Sequence, residues 1–493
     1  MQRHARAVQG CVFCAIAPPH ILRRIAEQAP PKEAEAAART LEVTRTLRED
    51  RMRALATGQL PEAAVRALAE AAGDRRTYDA EEKRNLPGRL RRSENDAPVG
   101  DVALDEAHDY AGLTRTFLKD VFGRRSVDGR GMALISSVHF MKDYDNAFWD
   151  GGQMVYGDGD GRIFNRFTIS LDVIGHELTH GVTQFTSNLV YFEQPGALNE
   201  HFSDVVGSLV KQWHLGQAAA DADWLIGAGL LAPGIRGVAL RSMSAPGTAY
   251  DDPLIGKDPQ PAHMQDFYYG SEDQGGVHIN SGIPNRVFWR VATRMGGNAW
   301  ELAGQIWFRA FTTKLPARAD VKDAARATAD AAGELGGNHA ASIVRAAWRE
   351  AGVSIPRAIT PVAAPRKAPA RRAAAKAATP KRAATRTAGA RKATARTATA
   401  RTATARTGAK ARPAAVAKRA TAARKPKAVA TKRAAAARKP RAVATKRATA
   451  ARKPRAVAAA PKRAARTPRA AAPAPKRRGS GGRAGGASPR RAR

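Results

Sequence analysis

The spacing of apolar residues changes along the chain. Up to about residue 75, apolar positions recur at helical spacing among Ala, Glu and Arg, as in LRRIAEQ and AAVRALAEAAG. From about 76 to 165, short apolar runs such as MALISSVHF, QMVYGDGDG and IFNRFTI alternate with Gly and Asp clusters that suit tight turns. The first pattern predicts helices, and the second predicts strands.

Helical periodicity returns near residue 172. It predicts an amphipathic helix at about 172–184 and further helices at about 197–213, 281–296, 299–312 and 320–332. We therefore expect an α+β fold in which a β-rich lobe precedes a helical one. The predicted parts are a helical segment at 1–75, the β-rich lobe at 76–187, the α-helical lobe at 188–356 and a tail at 357–493.

The tail has a composition of its own. It carries 42 of the chain's 82 Lys and Arg residues but no Asp, Glu, Phe, Trp or Tyr, and RKP recurs at 424, 438 and 452. Such a segment buries too little apolar surface to offset chain entropy, so we expect it to be disordered. It resembles linker-histone tails. A polycation of this kind contacts phosphates, which predicts nucleic acid or another polyanion as partner; the alternative is a solubilising linker without a single partner.

The rest of the chain has an ordinary charge balance, with 40 basic residues against 44 acidic ones before residue 357. It contains no uncharged apolar run of the roughly 18 residues that a membrane-spanning helix needs. The short run VFCAIA ends at Pro18 and Pro19, which makes it a poor signal peptide. The two cysteines, Cys11 and Cys14, lie in this same segment, so no disulfide is predicted within the lobes.

The motif HELTH at 176–180 predicts a metal site. A helix places His176 and His180 one turn apart on the same face, where both imidazoles can bind one ion. Glu177 then lies beside the open coordination position. A lone match of this kind also occurs in helices that use these residues only for packing, so a second element is needed.

The segment LNEHFSD at 198–204 supplies that element. Glu200 is the expected third ligand, because a catalytic zinc of this type takes two histidines and a carboxylate. Asp204 follows one helical turn later, where a carboxylate can orient a ligand histidine. Together the two motifs predict a zinc-dependent hydrolase with a single catalytic Zn²⁺.

Further segments extend the pattern: DNAFWDG at 145–151, VYGDGDG at 155–161, NLVYFEQPGALNE at 188–200, RSMS at 241–244 and DQGGVHINSG at 273–282. With the two motifs, they resemble the thermolysin family of zinc metallopeptidases from about residue 78 to residue 350. The resemblance implies a two-lobe fold with the zinc site on a central helix between the lobes. It also implies a monomeric neutral metalloprotease, an endopeptidase acting on protein or peptide substrates.

The resemblance assigns roles to individual residues. It implies zinc ligation by His176, His180 and Glu200, with Glu177 as general base. The other implied roles are orientation of the ligands by Asp204 and Asn199, stabilisation of the oxyanion by His278 and Tyr191, orientation of His278 by Asp273, and binding of the peptide backbone by Asn146, Ala147 and Arg241.

The same resemblance places six apolar residues around the side chain that follows the scissile bond. This composition predicts cleavage before hydrophobic residues, although apolar residues beside a catalytic helix can also simply form core. The six are Phe164, Phe167, Val173, Ile226, Leu230 and Leu240.

The paired calcium site of better-known family members is not expected. The corresponding positions include Lys211, Leu225, Ala228 and Gly229, and only Asp172 and Asp223 remain as acids. Calcium needs about six to eight oxygen ligands, and a lysine among them would repel it. We therefore predict no double calcium site, which is typical of the protealysin-like branch.

The segment CAIAPPHILRRIAEQ resembles the short propeptide of that branch. Residues up to somewhere between 50 and 77 would then block the cleft of a zymogen until they are cleaved. Cys11 and Cys14 form a CxxC pair with three interpretations: two ordinary thiols, a redox pair, or a thiolate latch on the zinc.

Two broader alternatives remain at this point. The family resemblance implies secretion, whereas the tail also suits a cytoplasmic protein associated with the nucleoid. The competing function is a nucleic-acid-binding protein with an inactive peptidase-like core. Against it, every position that would carry the chemistry retains a competent residue type.

Overall fold

The computed structural model describes residues 14–56 and 74–355. All of them lie in the first of the two units into which the chain divides, Met1–Arg372. The predictions for Cys11, for the helical pattern at 63–73 and for the tail at 357–493 lie outside the described residues. Among the described residues, no helix is long and apolar enough to cross a membrane.

The N-terminal part consists of a short strand and two helices. Strand β1 (Cys14–Ala15) is followed by α1 (Pro19–Gln28) and α2 (Pro31–Ala56). Each helix begins with a proline, whose fixed φ suits the first helical turn. Helix α1 buries Ile21, Leu22 and Ile25 on one face, so this part is packed against the rest of the protein.

The β-rich lobe is built on a six-stranded sheet of order β1-β5-β6-β4-β2-β3. The pairs β2–β4 and β4–β6 are parallel, and the other pairs are antiparallel. The N-terminal segment thus supplies the outermost strand, next to β5. The strands are β2 (Arg75–Asp79), β3 (Arg89–Ser93), β4 (Leu134–Val138), β5 (Ala147–Trp149) and β6 (Met154–Tyr156).

This lobe also contains a helix that the strand-like pattern does not predict. Helix α3 (Val102–Phe122) starts at Asp101, whose side chain accepts hydrogen bonds from two amides of the first turn, and ends at Gly123 with φ of 64°. Conversely, the predicted strand IFNRFTI forms a 3₁₀ turn at Phe167–Ile169. The prediction of a β-rich lobe is confirmed, but its details at these two places are wrong.

The helical lobe contains the predicted succession of helices and one further helix at Glu272–Asn280 that the sequence pattern does not predict. Helix α9 continues 18 residues beyond the predicted end at 332, with a bend at Gly337. Two short two-stranded sheets, β7 (Leu225–Ile226) with β8 (Arg241–Ser242) and β9 (Asp251–Asp252) with β10 (Gly256–Lys257), lie between the helices. The helices are α4 (Leu171–Gln184), α5 (Glu193–Leu215), α6 (Glu272–Asn280), α7 (Gly282–Met295), α8 (Leu302–Thr313) and α9 (Val321–Glu350).

Helix α4 lies at the centre of the described fold. It is predicted to be amphipathic, yet all of its residues are buried, because its polar face points to other helices and to the sheet rather than to water. Two glycines allow α4 and α5 to approach closely. A Cβ on Gly175 would lie 3.0 Å from Gly207 Cα, and a Cβ on Gly207 would lie 2.3 Å from Asp172 O. This close approach brings the two predicted zinc-binding motifs together.

Candidate active site

The three predicted metal ligands converge at the contact between α4 and α5. The Nε2 atoms of His176 and His180 lie 3.0 Å apart, and each lies 3.4 Å from a carboxylate oxygen of Glu200. All three side chains are fully buried. Ligand atoms of a tetrahedral zinc stand about 3.3 Å apart at the usual bond lengths, so the observed distances suit that ion.

Hydrogen bonds on the far side of each ring direct the lone pairs toward one point. His180 Nδ1 donates to Asn199 Oδ1 at 2.9 Å, since the Asn199 amide itself donates to Leu189 O. Burial lowers the pKa of His180 to about 3, so the imidazole is neutral and its Nε2 carries a lone pair. Glu200 Oε2 is also buried and accepts no hydrogen bond. His180 Nε2 and Glu200 Oε2 can therefore each offer an electron pair, which fits a divalent metal ion.

Asp204 supports the other histidine. Its Oδ1 accepts from His176 Nδ1 at 2.8 Å, and Arg241 donates to both carboxylate oxygens at 2.8 and 2.9 Å. Asn285 Nδ2 donates to Oδ2 at 2.8 Å. Burial alone would raise the pKa of Asp204, but Arg241 and His176 outweigh it and hold the pKa well below its usual range. Asp204 is therefore an ionised carboxylate that orients His176.

Glu177 lies next to the sheet. Its Oε2 accepts a hydrogen bond from the backbone N–H of Trp149 in β5 at 3.0 Å. The side chain is fully buried. The carboxylate is thus held between the catalytic helix and the strand nearest the N-terminal segment.

A second cluster of polar side chains lies next to Glu200. His278 Nδ1 donates to Asp273 Oδ1 at 2.6 Å, while Asp273 Oδ2 accepts from the His278 amide at 2.8 Å. Tyr191 OH donates to Glu200 Oε1 and lies 3.3 Å from His278 Nε2. Burial lowers the pKa of His278, but Asp273 and Glu200 outweigh it and raise the pKa overall. The predicted oxyanion donors therefore both face the metal ligands.

The residues predicted to bind peptide backbone already do so, with the chain's own N-terminal segment. Asn146 Oδ1 accepts from Ala17 N at 2.9 Å, and Asn146 Nδ2 donates to Ala17 O at 3.2 Å. Ala147 O accepts from Ile16 N at 3.1 Å, and Arg241 Nη1 donates to Ile16 O at 3.2 Å. The three predicted residues act together on one extended segment.

The six predicted pocket residues are all buried and belong to the main hydrophobic core of the described fold, as Ile16 does. Ile226 in β7 pairs with Arg241 in β8. One predicted pocket residue therefore lies next to a residue predicted to bind the peptide backbone. Cys14 is buried in a small cluster with Tyr191 and Val277. It does not belong to the group of donor atoms within 4.8 Å of one another, which among the described residues comprises His176, His180 and Glu200.

Some contributors could not be found from the sequence. Asn285 contacts Asp204 across 81 residues, and the Trp149 amide that binds Glu177 belongs to the backbone, so neither leaves a local signal. The sequence assigns Lys211 no role beyond excluding calcium. Its Nζ lies 2.7 Å from Asp172 Oδ2 and 2.9 Å from Asp223 Oδ1, and it donates to Leu225 O at 2.7 Å.

Comparisons with known proteins agree with this geometry. The family models described as "Thermolysin metallopeptidase, catalytic domain" and "Thermolysin metallopeptidase, alpha-helical domain" match residues 51–184 and 187–353. The "Extracellular metalloprotease" of Pectobacterium carotovorum subsp. carotovorum is 49% identical over 350 residues, which is 70% of this chain and 97% of that relative. The chain belongs to the thermolysin family of metallopeptidases.

Other members of the thermolysin family are similarly close. "Protease PrtS" of Photorhabdus is 45% identical over 351 residues, or 71% of this chain and 94% of that protein. The solved precursor of protealysin from Serratia proteamaculans is 50% identical and has a TM-score of 0.63, covering 69% of this chain and all of that chain. The predictions of the family, of the two-lobe α+β fold and of a thermolysin-like zinc metalloprotease are confirmed.

Proposed function

We propose that this metallopeptidase is made as a zymogen and, once mature, cleaves peptide bonds before hydrophobic residues with Glu177 as general base. The observation that carries the proposal is the convergence of His176, His180 and Glu200 on one buried point, with Glu177 beside it. Zinc bound by these three residues supplies Lewis-acid chemistry, which polarises a carbonyl and lowers the pKa of water from about 16 to about 7.

Glu177 moves the proton. Its carboxylate takes a proton from the attacking water and later gives it to the leaving amine, so one residue serves both halves of the reaction. The hydrogen bond from Trp149 N to Oε2 fixes the carboxylate beside β5, the strand along which a peptide would lie. This contact keeps Glu177 within reach of both the water and the scissile nitrogen.

His278 and Tyr191 stabilise the negative charge that develops on the carbonyl oxygen. Both face the metal ligands, and Asp273 fixes the ring of His278 through Nδ1. Such donors bind the tetrahedral oxyanion more strongly than the planar carbonyl, and each contributes about 3–4 kcal/mol in comparable sites.

Asn146, Ala147 and Arg241 bind substrate backbone. The side chain that follows the scissile bond is bound by six apolar residues: Phe164, Phe167, Val173, Ile226, Leu230 and Leu240. The support is that the chain's own Ile16 and Ala17 make these backbone contacts. An apolar pocket discriminates weakly between aliphatic side chains but strongly against charge.

The N-terminal segment blocks the cleft of the zymogen. Because residues 14–17 use the backbone contacts of the cleft, a substrate cannot enter until they leave. We propose that the block acts through this backbone pairing rather than through thiolate ligation, since Cys14 is not in the group of metal donors. A Cys14→Ser substitution separates the two: a latch predicts faster maturation, and backbone pairing predicts an unchanged rate.

We propose that the mature protein is a secreted monomer without the double calcium site, and that the tail at 357–493 binds nucleic acid or another polyanion. Secretion is supported by relatives that are named extracellular. Mass spectrometry of culture medium and cell lysate tests it: mature peptides recovered only from the lysate would instead favour the nucleoid-associated alternative.

Casein cleavage tests the central proposal. Mature protein should lose cleavage when zinc is chelated and regain it when zinc is restored. Glu177→Ala should keep its zinc but lose about 10²–10⁴-fold in kcat, the usual contribution of a general base. Full zinc binding without any cleavage that depends on Glu177 would favour the alternative of a nucleic-acid-binding protein with an inactive core.

A further inference from the structure

Residues 14–17 lie in the cleft in a fixed direction and register. Strand β1 is antiparallel to β5, with Cys14 opposite Trp149 and Ala15 opposite Phe148. The ladder continues to Ile16, whose N–H donates to Ala147 O at 3.1 Å. A segment paired in this way cannot slide by one residue without reversing every side chain.

The backbone after Ala15 is fully bound. The N–H and C=O of Ile16 pair with Ala147 O and Arg241, and the N–H and C=O of Ala17 pair with the two ends of the Asn146 amide. A segment that only covered the cleft by its bulk would not need these four contacts. The segment is held as a peptide substrate would be.

The carbonyl of Ala15 contacts one of the proposed catalytic groups, His278. Its oxygen accepts from His278 Nε2 at 2.9 Å, the atom proposed to stabilise the oxyanion. On the other side, Trp149, which is opposite Cys14 in the ladder, donates its N–H to Glu177. The Ala15–Ile16 peptide bond therefore lies between the carbonyl that contacts His278 and the backbone groups that Arg241 and Asn146 bind.

We propose that the Ala15–Ile16 bond is cleaved by the protein's own active site, within the same molecule. The inference rests on the proposed function. The oxygen of water bonds to the Ala15 carbonyl carbon, the C–N bond breaks, Ala15 leaves as a carboxylate, and Ile16 gains an amino group with the proton that Glu177 carries. Ile16 is an apolar residue whose side chain is fully buried, which is compatible with the proposed preference for cleavage before hydrophobic residues.

This cut differs from the one that removes the N-terminal helices. After it, Ile16 and Ala17 keep their contacts with Arg241 and Asn146, and α1 keeps its buried face. The fragment ending at Ala15 is released, whereas the rest of the segment stays in the cleft until a second cut between about residues 50 and 77. The first cut is thus expected to precede full activity.

Mass spectrometry tests the proposal on the full chain. Protein purified in a chelator is given Zn²⁺ at several protein concentrations, and its N-termini are followed over time. An N-terminus at Ile16 should appear with a half-time that does not change over a tenfold dilution, and Glu177→Ala should not produce it. Ile16→Asp should slow the cut at least about tenfold, because the pocket would bury a charge, whereas Ile16→Leu should retain it.

Hydrogen exchange supplies a readout that needs no cleavage. In the full-length Glu177→Ala chain, the amides of Ile16 and Ala17 should exchange slowly, since both donate hydrogen bonds in the cleft, and Ile16→Asp should release them. Exchange at solvent rates in the Glu177→Ala chain would overturn the proposal.

The outcomes separate this inference from the proposed function. If the protein cleaves casein after maturation but never yields an N-terminus at Ile16, the inference fails and the function stands. A rate of the cut that rises in proportion to protein concentration overturns cleavage within the same molecule. If zinc is bound and neither casein nor the segment is cleaved, the proposed function fails as well.

Discussion

At the scale of single residues, Asp204 connects the metal ligands to the cleft. It orients His176 through Oδ1 and receives two hydrogen bonds from Arg241, which also holds Ile16. A carboxylate behind a ligand histidine makes the ring more basic and fixes its orientation. The negative charge of Asp204 also balances the buried guanidinium of Arg241. A substitution of Asp204 should therefore affect both metal binding and stability.

Asp204→Asn should lower zinc affinity about 10–100-fold, the usual effect of losing such a partner. It should also destabilise the fold by about 3–5 kcal/mol, because Arg241 would be left without its counter-charge. Competition with a chromogenic chelator measures the first effect, and urea unfolding measures the second. The exposed Asp221→Asn is the matched control; equal zinc affinity in the two variants would contradict the role assigned to Asp204.

Lys211 places a cation between Asp172 and Asp223, where the family resemblance implies calcium in other members. Burial lowers its pKa, but Asp172 and Asp223 outweigh burial and raise the pKa overall, so the ammonium stays charged. Lys211→Met should destabilise the protein by about 3–5 kcal/mol, since Asp172 is fully buried. Thermal unfolding in the Glu177→Ala background, which prevents autolysis, measures this loss. Lys257→Met is the exposed control, and a loss no larger than in this control would refute the interpretation.

At the scale of elements, the contact of α4 with α5 determines the metal site. The two glycines at this contact leave no room for a Cβ. Gly207→Ala would place a Cβ 2.3 Å from Asp172 O, so the helices must separate. We expect a loss of stability of more than about 2 kcal/mol and weaker zinc binding.

Gly333→Ala in α9 is the matched control for that change. The nearest atom to its Cβ would lie 4.0 Å away, so alanine should be neutral or stabilise the helix by about 0.5–1 kcal/mol. Urea unfolding of both variants with zinc bound compares them. Similar stabilities would mean that the close approach of α4 and α5 is not required.

Helix α3 is joined to the sheet by a histidine between two acids. His139 contacts Asp158 Oδ2 at 2.8 Å and Asp101 Oδ2 at 3.1 Å, and Asp101 also caps α3. The hydrogen bond with Asp158, against the opposing effect of burial, raises the pKa of His139 to about 9. Since the folded pKa exceeds the unfolded value of about 6.5, the stabilisation is complete below pH 6.5 and is lost as pH rises through 9.

Thermal unfolding from pH 6 to pH 10 checks this dependence. The melting temperature of His139→Gln should fall less over this range than that of the parent protein, again in the Glu177→Ala background. His214→Gln, an exposed change, should follow the parent. Parallel curves for all three proteins would rule out His139 as the titrating group.

The sequence predicts an element where its signal is local. HELTH and LNEHFSD each carry their geometry within one or two helical turns, so the sequence alone predicts the three candidate ligands that the structure brings together. The sequence analysis does not predict α3, although Asp101 and Gly123 mark its ends and buried residues such as Leu104, Ala107 and Ala111 recur at helical spacing. The contact of Ala15 with His278 joins positions 263 residues apart, and no periodicity records such a contact.

At the scale of the whole molecule, charge and catalysis lie in different parts of the chain. The catalytic lobes are nearly balanced in charge, whereas the tail carries 42 basic residues. Binding of a polycation to DNA releases counterions, so affinity falls steeply with salt. The tail would therefore keep the peptidase near polyanions at low ionic strength without changing the chemistry of its cleft.

Removal of residues 357–493 should abolish DNA binding and leave casein cleavage unchanged. The full chain should lose about 10³-fold or more in affinity between 50 and 200 mM salt if six to ten phosphates are contacted. Fluorescence anisotropy with random duplexes measures both proteins. DNA binding that persists after truncation would place the nucleic-acid site in the lobes.

The pairing of β1 with β5 also has a consequence for solubility. Without residues 14–17, β5 would become the edge strand of the sheet and Ala147 O would lose its partner, and an open sheet edge is a template for association with other chains. While the N-terminal strand is in place, a newly folded molecule cannot add its neighbour's strands to this edge. A substrate that binds by β-augmentation after the proposed maturation would occupy the same edge, so recognition of extended peptides and the risk of aggregation would share one set of backbone groups.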